Sequence, residues 1–592
     1  MRNIFLCLLS IIVLSNKAFT QTTNQQTVGN LIAFAKLYGY VRYFHPSDEA
    51  AALNWNAFVI YGSKTVMAAQ NDDDLIKNLQ NLFYPIAPAI KIYKTGTATD
   101  FINADLLPAD IKNYKPVAWQ HYGIGLGNSN SIYWSARTNT AGYDSIDKWR
   151  RFNETPKPEE LIQKALNKNI SVIVPLVLYG NKEHTYPVAD GLQLSNLQKQ
   201  LLAQDSLESN SRFMYLADVI IAWNIFRHFF AYWEDAAQDP ETILHNALEK
   251  TLKDKSDNDV VQTLRLMTAP LNDGHIGVWN EKNPSFAYYT PIMTTWAENK
   301  LVVAHVLNKQ TSANLNAGDI ILSINDTAAS DWQKNRDQYN SGSKQLKQSR
   351  SDWSILRGEQ NSAISLTVEQ KGVVNKISLQ RNVPMKTVFD KYTDKTTSGF
   401  IKPSVFYIDL NKWPMDSIKS HLEDLKNSKA IICDLRGYPN ANHEFIRYLI
   451  TDKETDKWMF VPQIIYPDFE KVSYHEEGWS LQPLKPHLSA KVVFITDGRA
   501  ISYAESYMGY IKDLKLATIV GQPTAGTNGN INTINLPGGF HVLFTGMLVK
   551  NHDGSKHHLK GIQPDVLVEP TIKGIAEGRD EMLEKALQLA EQ

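Results

Sequence analysis

The stretch FITDGRAISYAESYMGYIKD, residues 494–513, decides how this chain is read. An apolar run stops at a turn of small residues and a run of helical period follows, so a buried strand passes directly into a helix. Ser502-Tyr503-Ala504-Glu505 fits the capping box, in which a serine caps the helix and a glutamate returns to the cap amide. The same serine, on a strand-to-helix turn, lies beside unpaired helix amides and the positive end of the helix dipole, a place suited to a nucleophile and its oxyanion. The two readings are compatible, and the neighbouring segments must weigh between them.

Working outward, FYIDL, AIICDLRGY, KVVFITDG and ATIVGQP are short apolar strands alternating with helical patterns such as SIKSHLEDLK. From Gly399 onward this predicts an α/β sheet with at least partly parallel pairing. Such sheets gather ligands at the C-terminal ends of their strands, and DLRGY and TDGRAIS are two such ends. Cys433, inside AIICDL, reads as a buried inert thiol.

Upstream, LNAGDIILSINDTAASDW and ILRGEQNSAISLTVEQKG predict a compact β module within residues 286–381, preceded by the Asp273-Gly274-His275 turn of LNDGHIGVWN. Residues 97–195 are rich in β patterns broken by Gly, Asn and Pro. There Trp119, His121, Trp134 and Arg137 read as the aromatic core of a small β unit, with a sugar- or peptide-binding face as the second reading. Two helical stretches, LIAFAKLYGYVRYFHPS and LADVIIAWNIFRHFFAYWED, align Tyr38 with Trp223, Arg42 with Arg227 and Phe44 with Phe229, a weak sign of a duplicated helical unit whose aromatics belong to a core.

At 592 residues the chain needs several cores. Its 61 Lys plus Arg against 62 Asp plus Glu leave a net charge of −1, which disfavours nucleic acid or an anionic membrane as partner. MRNIFLCLLSIIVLSNKAFTQ has the order of a secretory leader, and its apolar run is below the ~18 residues of a spanning helix. Of the two cysteines only Cys433 lies beyond that leader, so an exported chain would hold no internal disulfide. No spacing of Cys, His or carboxylates suggests a metal: His552, His557 and His558 fall in a polar loop and read as surface residues.

Taken in order, NDGHIGV, AGDIILSIND, AIICDLRGYPNAN, DGRAISYAE, IVGQPTAGTNG and the closing FTGMLVKNHDGSKHHLKGIQPDVLVEPT resemble the tail-specific, C-terminal processing serine peptidases, S41-type, of the tricorn-like branch. The resemblance covers roughly the second half of the chain. With the upstream patterns, which give a signal peptide at 1–20, a helical module at 21–96, a β-rich module at 97–205 and a second helical module at 206–285 ending in the His275 turn, the expectation is a multidomain α+β protein in which the resemblance implies a PDZ-like domain at 286–385 and an α/β, ClpP/crotonase-like catalytic core at 386–592. The resemblance further implies Ser502 as nucleophile, His275 as base, and an oxyanion hole from the Tyr503 amide and the turn holding Gly437, Asn440 and Ala441. The chain departs from the family where a base or its partner is usual. The lysine slot holds Thr527, the accessory serine before the histidine is Gly274, and the glutamate slot is His558. Three outcomes follow: Asp273 orients His275, His557 or His558 supplies the base or a relay, or the site is decayed and the chain only binds peptides. The expectation is an exported, periplasmic or cell-envelope serine peptidase acting on peptides through their C-terminal ends, with no cofactor and no metal; the alternative is a silent peptide-binding scaffold.

Overall fold

The computed structural model describes residues 25–97, 106–123, 133–138, 151–203, 212–282 and 288–592. The expected signal peptide lies outside the described residues. Residues 25–44 form the first helix (α1), and its apolar face packs against Arg212–Phe229 (α2). Their approach is set by Gly39, where a Cβ would stand 1.9 Å from Asn224 Oδ1 and 2.5 Å from His228 Nε2. Asn224 Nδ2 uses that closeness to donate to the Ala35 carbonyl at 2.9 Å. Phe44 and Phe229 stack with centroids 6.3 Å apart, so the aromatics of both stretches lie in one core.

The strand Lys115–Tyr122 (β1) lies inside the expected 97–205 module, but its pairing reaches beyond it. It pairs with Val177–Gly180 on one side and with Met459–Ile464 on the other, through Gln463↔Tyr122 and Ile464↔His121. One of the region's two sheets is therefore continued by strands of the C-terminal third, whereas in the other Ile170–Pro175 pairs with Leu161–Ala165 and with Lys91–Lys94. His121 is buried beneath this sheet, with Nε2 on the Tyr43 carbonyl and Nδ1 on Ser135 Oγ, each at 2.7 Å, which makes it a core residue. Trp134 is exposed and carries the Arg151 guanidinium 3.9 Å above its ring.

After the His275 turn comes Gly277–Asn280 (β2). A six-stranded antiparallel sheet follows, five of its strands in the order β7-β6-β5-β4-β3, with Ile292–Ala297 (β3), Lys300–Val306 (β4), Ile320–Ile324 (β5), Ala363–Gln370 (β6) and Val373–Gln380 (β7), and the short strand Thr327–Ala328 paired to β5. The helix Lys344–Ser354 (α3) lies along the edge strand β3.

The C-terminal sheet contains Gly399–Lys402 (β8), Val405–Asp409 (β9), Ala430–Asp434 (β10), Lys491–Thr496 (β11), Thr518–Gly521 (β12) and, past the hairpin Ile531–Leu536 (β13) and Phe540–Thr545 (β14), Val566–Leu567 (β15). Its order is β8-β9-β10-β11-β12-β15, parallel throughout except for β8. Side chains of a strand alternate faces, and both faces are covered. Phe406, Ile408, Ile431, Cys433 and Phe494 meet the helix Tyr503–Asp513 (α4), whereas Tyr407, Ile432, Val493 and Ile495 meet Glu581–Ala590 (α5). Two-sided burial explains why these strands read as continuous apolar runs, and each such side chain contributes about 1.5–3 kcal/mol. The Cys433 thiol is fully buried, and burial pushes its pKa far up. Among the described residues no helix is long and apolar enough to cross a membrane.

Candidate active site

Strand β11 ends at Thr496, and six residues later Ser502 sits at the N-cap of α4 with φ 58° and ψ −113°. Such an angle in a residue with a Cβ costs on the order of 1–3 kcal/mol and persists only where the surroundings enforce it. The enforcement is visible. The Ser502 amide donates to the Thr527 carbonyl at 2.9 Å and to Glu505 Oε2 at 3.3 Å, and the Ser502 carbonyl accepts from the amides of Glu505 and Ser506. Glu505 makes the return half of a capping box by accepting the Ser502 amide, while the Ser502 side chain makes no cap hydrogen bond. Because the Glu505 amide is already satisfied by the Ser502 carbonyl at 2.8 Å, the hydroxyl is not needed for the cap. That hydroxyl is shared with Tyr438: burial raises the phenol's pKa, and a hydrogen bond with Ser502 lowers it.

Glu505 is buried and accepts more donors than a cap requires. Oε1 takes the Thr524 hydroxyl at 2.5 Å and the Gly526 amide at 2.6 Å, and Oε2 takes the Thr527 amide at 2.8 Å. His557 Nε2 stands 3.3 Å from Oε1, with its Nδ1 on Asn551 Oδ1 at 3.0 Å. The carboxylate thus ties the Ser502 turn to the 524–527 loop. Glu505→Gln puts an NH2 against at least one of these donors, and leaving a buried group unpaired costs about 1–3 kcal/mol. A lower melting midpoint of the variant in calorimetry is the expected outcome.

His275 is oriented by a route that adjacent residues did not reveal. Its Nδ1 is 2.8 Å from Thr545 Oγ1, and that hydroxyl donates to Asp273 Oδ1 at 2.7 Å. Asp273 also accepts from the Thr545 amide at 2.6 Å and from the His275 amide at 2.9 Å. A hydroxyl has one proton. Thr545 spends it on the carboxylate, so its lone pair receives the Nδ1–H and Nε2 carries the free lone pair. Nε2 is buried and has no hydrogen-bond partner. Burial lowers the His275 pKa below its ordinary value, against the raising pull of Asp273 and Glu505, which keeps the ring neutral at pH 7. Thr545 reaches His275 because β14 pairs with β2, Leu543 opposite Gly277.

Thr527, in the expected lysine slot, joins the two halves. Its carbonyl holds the Ser502 amide and its Oγ1 accepts from the Gly274 amide at 3.1 Å. A side chain at Gly274 would meet Thr527 Oγ1 at 2.5 Å. His558 does not join Ser502: its ring stacks on Tyr232 with centroids 3.9 Å apart, and burial lowers its pKa to about 4. The 437–441 turn differs from expectation. The Gly437 amide donates to Leu435, Asn440 to Leu410 and Ala441 to Pro439, each through the partner's carbonyl at 2.9–3.0 Å. Left-handed angles at Gly437 (φ 140°) and Ala441 (φ 48°) fold the turn onto itself, so these three amides already have acceptors. The Tyr503 amide is the first of α4, beyond the reach of any intrahelical carbonyl.

Side chains on or just before α3 secure the backbone of these loops. Ser341 Oγ accepts from the Asp273 amide, Ser343 Oγ donates to the Ala525 carbonyl, Gln345 Nε2 to Thr524 and Leu559, Ser349 Oγ to Gly498, and Arg350 to Gly274 at 2.6 Å. A cavity of about 950 Å³ is lined by Ser349 and Asp352 of α3 together with Lys395, Arg436, Asp497 and Arg499.

Residues 404–568 match the family described as peptidase family S41. That span includes Ser502, the 437–441 turn and Thr545 but not Asp273 or His275. The chain is 25% identical over 223 residues to a probable CtpA-like serine protease of Staphylococcus aureus (strain COL), covering 36% of this chain and 42% of the relative. It is 27% identical over 219 residues to the corresponding protein of Staphylococcus epidermidis, with the same coverage. The chain thus spans 42% of the length of these curated relatives. Among solved structures, mature CPAF superposes with a TM-score of 0.51 at 13% identity, covering 64% of this chain and 96% of that one, a likeness of fold.

Proposed function

Given a chain that carries a peptidase family S41 domain over residues 404–568, we propose that it is an exported serine peptidase that cleaves peptide bonds through an acyl-enzyme. The observation that carries this reading is the Asp273–Thr545–His275 chain of hydrogen bonds, which leaves a lone pair on His275 Nε2 next to the loop joined to Ser502 by Thr527. Ser502 leaves Tyr438, passes its proton to His275 Nε2 and attacks the substrate carbonyl. The imidazolium is stabilised by Asp273 through the Thr545 hydroxyl. The Tyr503 amide, aided by the dipole of α4, takes the oxyanion. His275 returns the proton to the leaving amine, and water then resolves the ester by the same route. A second oxyanion donor comes from the 437–441 turn once one of its amides exchanges its carbonyl for the oxyanion.

Substrate is an extended peptide engaged by the 286–385 module, read as PDZ-like. Its edge strand β3 offers a ladder for strand addition, and specificity for a chain terminus would follow. One edge amide, Trp296 N, donates at 3.3 Å to Asp352 of α3, so an incoming strand competes with that carboxylate. The scaffold reading is favoured by the engaged amides of Gly437, Asn440 and Ala441. A fluorophosphonate probe separates the two: labelling of wild type that disappears in Ser502→Ala supports the peptidase, and equal labelling of both removes Ser502 from the nucleophile role.

A further inference from the structure

At the far end of α4 from Ser502, the helix end and two loops bring together Asp513, Asp456 and His552. One ligand atom of each lies within 4.8 Å of the other two. Asp513 is the last residue of α4, where the helix dipole presents its negative end and a carboxylate is unfavourable unless a cation joins it. Among the described residues Asp513 has no ion pair with lysine or arginine, and its charged contact is His552 Nδ1 at 3.9 Å.

His552 is the decisive member. Its side chain is 2% exposed, and neither ring nitrogen has a hydrogen-bond partner. The ring is held by shape alone. It stacks on Trp458 at 5.1 Å, meets the Tyr510 edge at 4.4 Å, and its Nε2 rests over Gly509, where a Cβ would come within 3.2 Å. A buried imidazole with its Nδ1 turned to two carboxylates and nothing to bond is an unfilled donor set.

We propose that His552 Nδ1, Asp456 and Asp513 bind one divalent transition-metal ion of the zinc class. Imidazole together with carboxylate oxygens favours zinc over magnesium or calcium, which prefer all-oxygen shells. A tetrahedron with arms of about 2.1 Å has edges of about 3.4 Å. Side-chain rotation at the two exposed carboxylates closes the difference, and water completes the shell. The ion would pin the C-terminal end of α4 to the 451–458 and 550–554 loops, a structural clamp separate from the peptidase chemistry.

The test is calorimetric titration of the full chain with zinc chloride, in wild type and in Asp456→Asn, Asp513→Asn and His552→Gln. One saturable site per chain is expected in wild type. Loss of a direct ligand should weaken it by more than the about 10- to 100-fold that outer partners of a metal site command. Chelator should lower the melting midpoint of wild type and leave that of Asp456→Asn unmoved, a variant whose exposed carboxylate makes misfolding no explanation. Absence of one-to-one binding, affinity unchanged in Asp456→Asn, or displacement of zinc by equimolar calcium would overturn the proposal. None of these readouts depends on Ser502 or on hydrolysis.

Discussion

His275→Asn is expected to lower kcat/KM for hydrolysis of a peptide substrate by about 10⁴- to 10⁶-fold, the range for removing the base from a serine-histidine unit. In the proposed mechanism the loss falls on kcat, because the imidazole's proton transfers, from Ser502 and to the leaving amine, occur in the transition states and add nothing to ground-state binding. His557 cannot rescue the variant, since its Nε2 faces Glu505 at 3.3 Å. Nor can His558, stacked flat on Tyr232. A residual activity within tenfold of wild type would assign the base elsewhere. The pH profile carries a second sign. The base works only when neutral, and burial lowers the His275 pKa from its usual 6.5. The acid limb of kcat/KM should therefore lie below pH 6.5, with activity retained where an unperturbed histidine would already be protonated.

Thr545→Val is expected to cost about 10²- to 10⁴-fold in kcat at nearly constant KM, by analogy with loss of the tautomer-fixing partner in serine peptidases. Valine keeps the shape and leaves the Thr545 backbone amide on Asp273 Oδ2. It deletes the hydroxyl that receives Nδ1–H and transmits the carboxylate's charge. Thr545→Ser should recover most of the rate, which a packing role for the methyl would not explain. Asp273→Asn should push the acid limb further down, because Asp273 is the largest influence raising the His275 pKa. A limb that moves up in that variant would mean the carboxylate does not act on the ring.

The sequence made the strand-turn-helix unit at Ser502 legible because its two periods meet within a few residues and the S-x-x-E signature is local. The parallel sheet was legible for the same reason, since two-sided burial writes continuous apolar runs. The partner of His275 was not. Asp273 was one of the named candidates, but the route through Thr545 spans some 270 residues and depends on the register of β14 against β2. Thr545 in FTGMLVK carries no motif of its own. The unity of the β-rich region with the core was hidden likewise, because strand pairing between Tyr122 and Gln463 leaves no trace in either segment alone. His552, read as a surface residue, has its side chain buried by aromatic packing that local polarity concealed.

The α3 clamp divides the site into two classes of residue with different freedom to change. Ser343, Gln345, Ser349 and Arg350 each donate a side-chain hydrogen to a main-chain carbonyl. Every amino acid supplies that carbonyl, so the receiving positions, Ala525, Thr524, Gly498 and Gly274, are indifferent to identity as far as these bonds are concerned. The donors are not interchangeable. Identity at Gly274, Gly498 and Thr524 is set instead by other contacts, the lack of room for a Cβ at the two glycines and the hydroxyl that Thr524 gives to Glu505, so the geometry of these loops rests on a segment that contains none of the proposed chemistry.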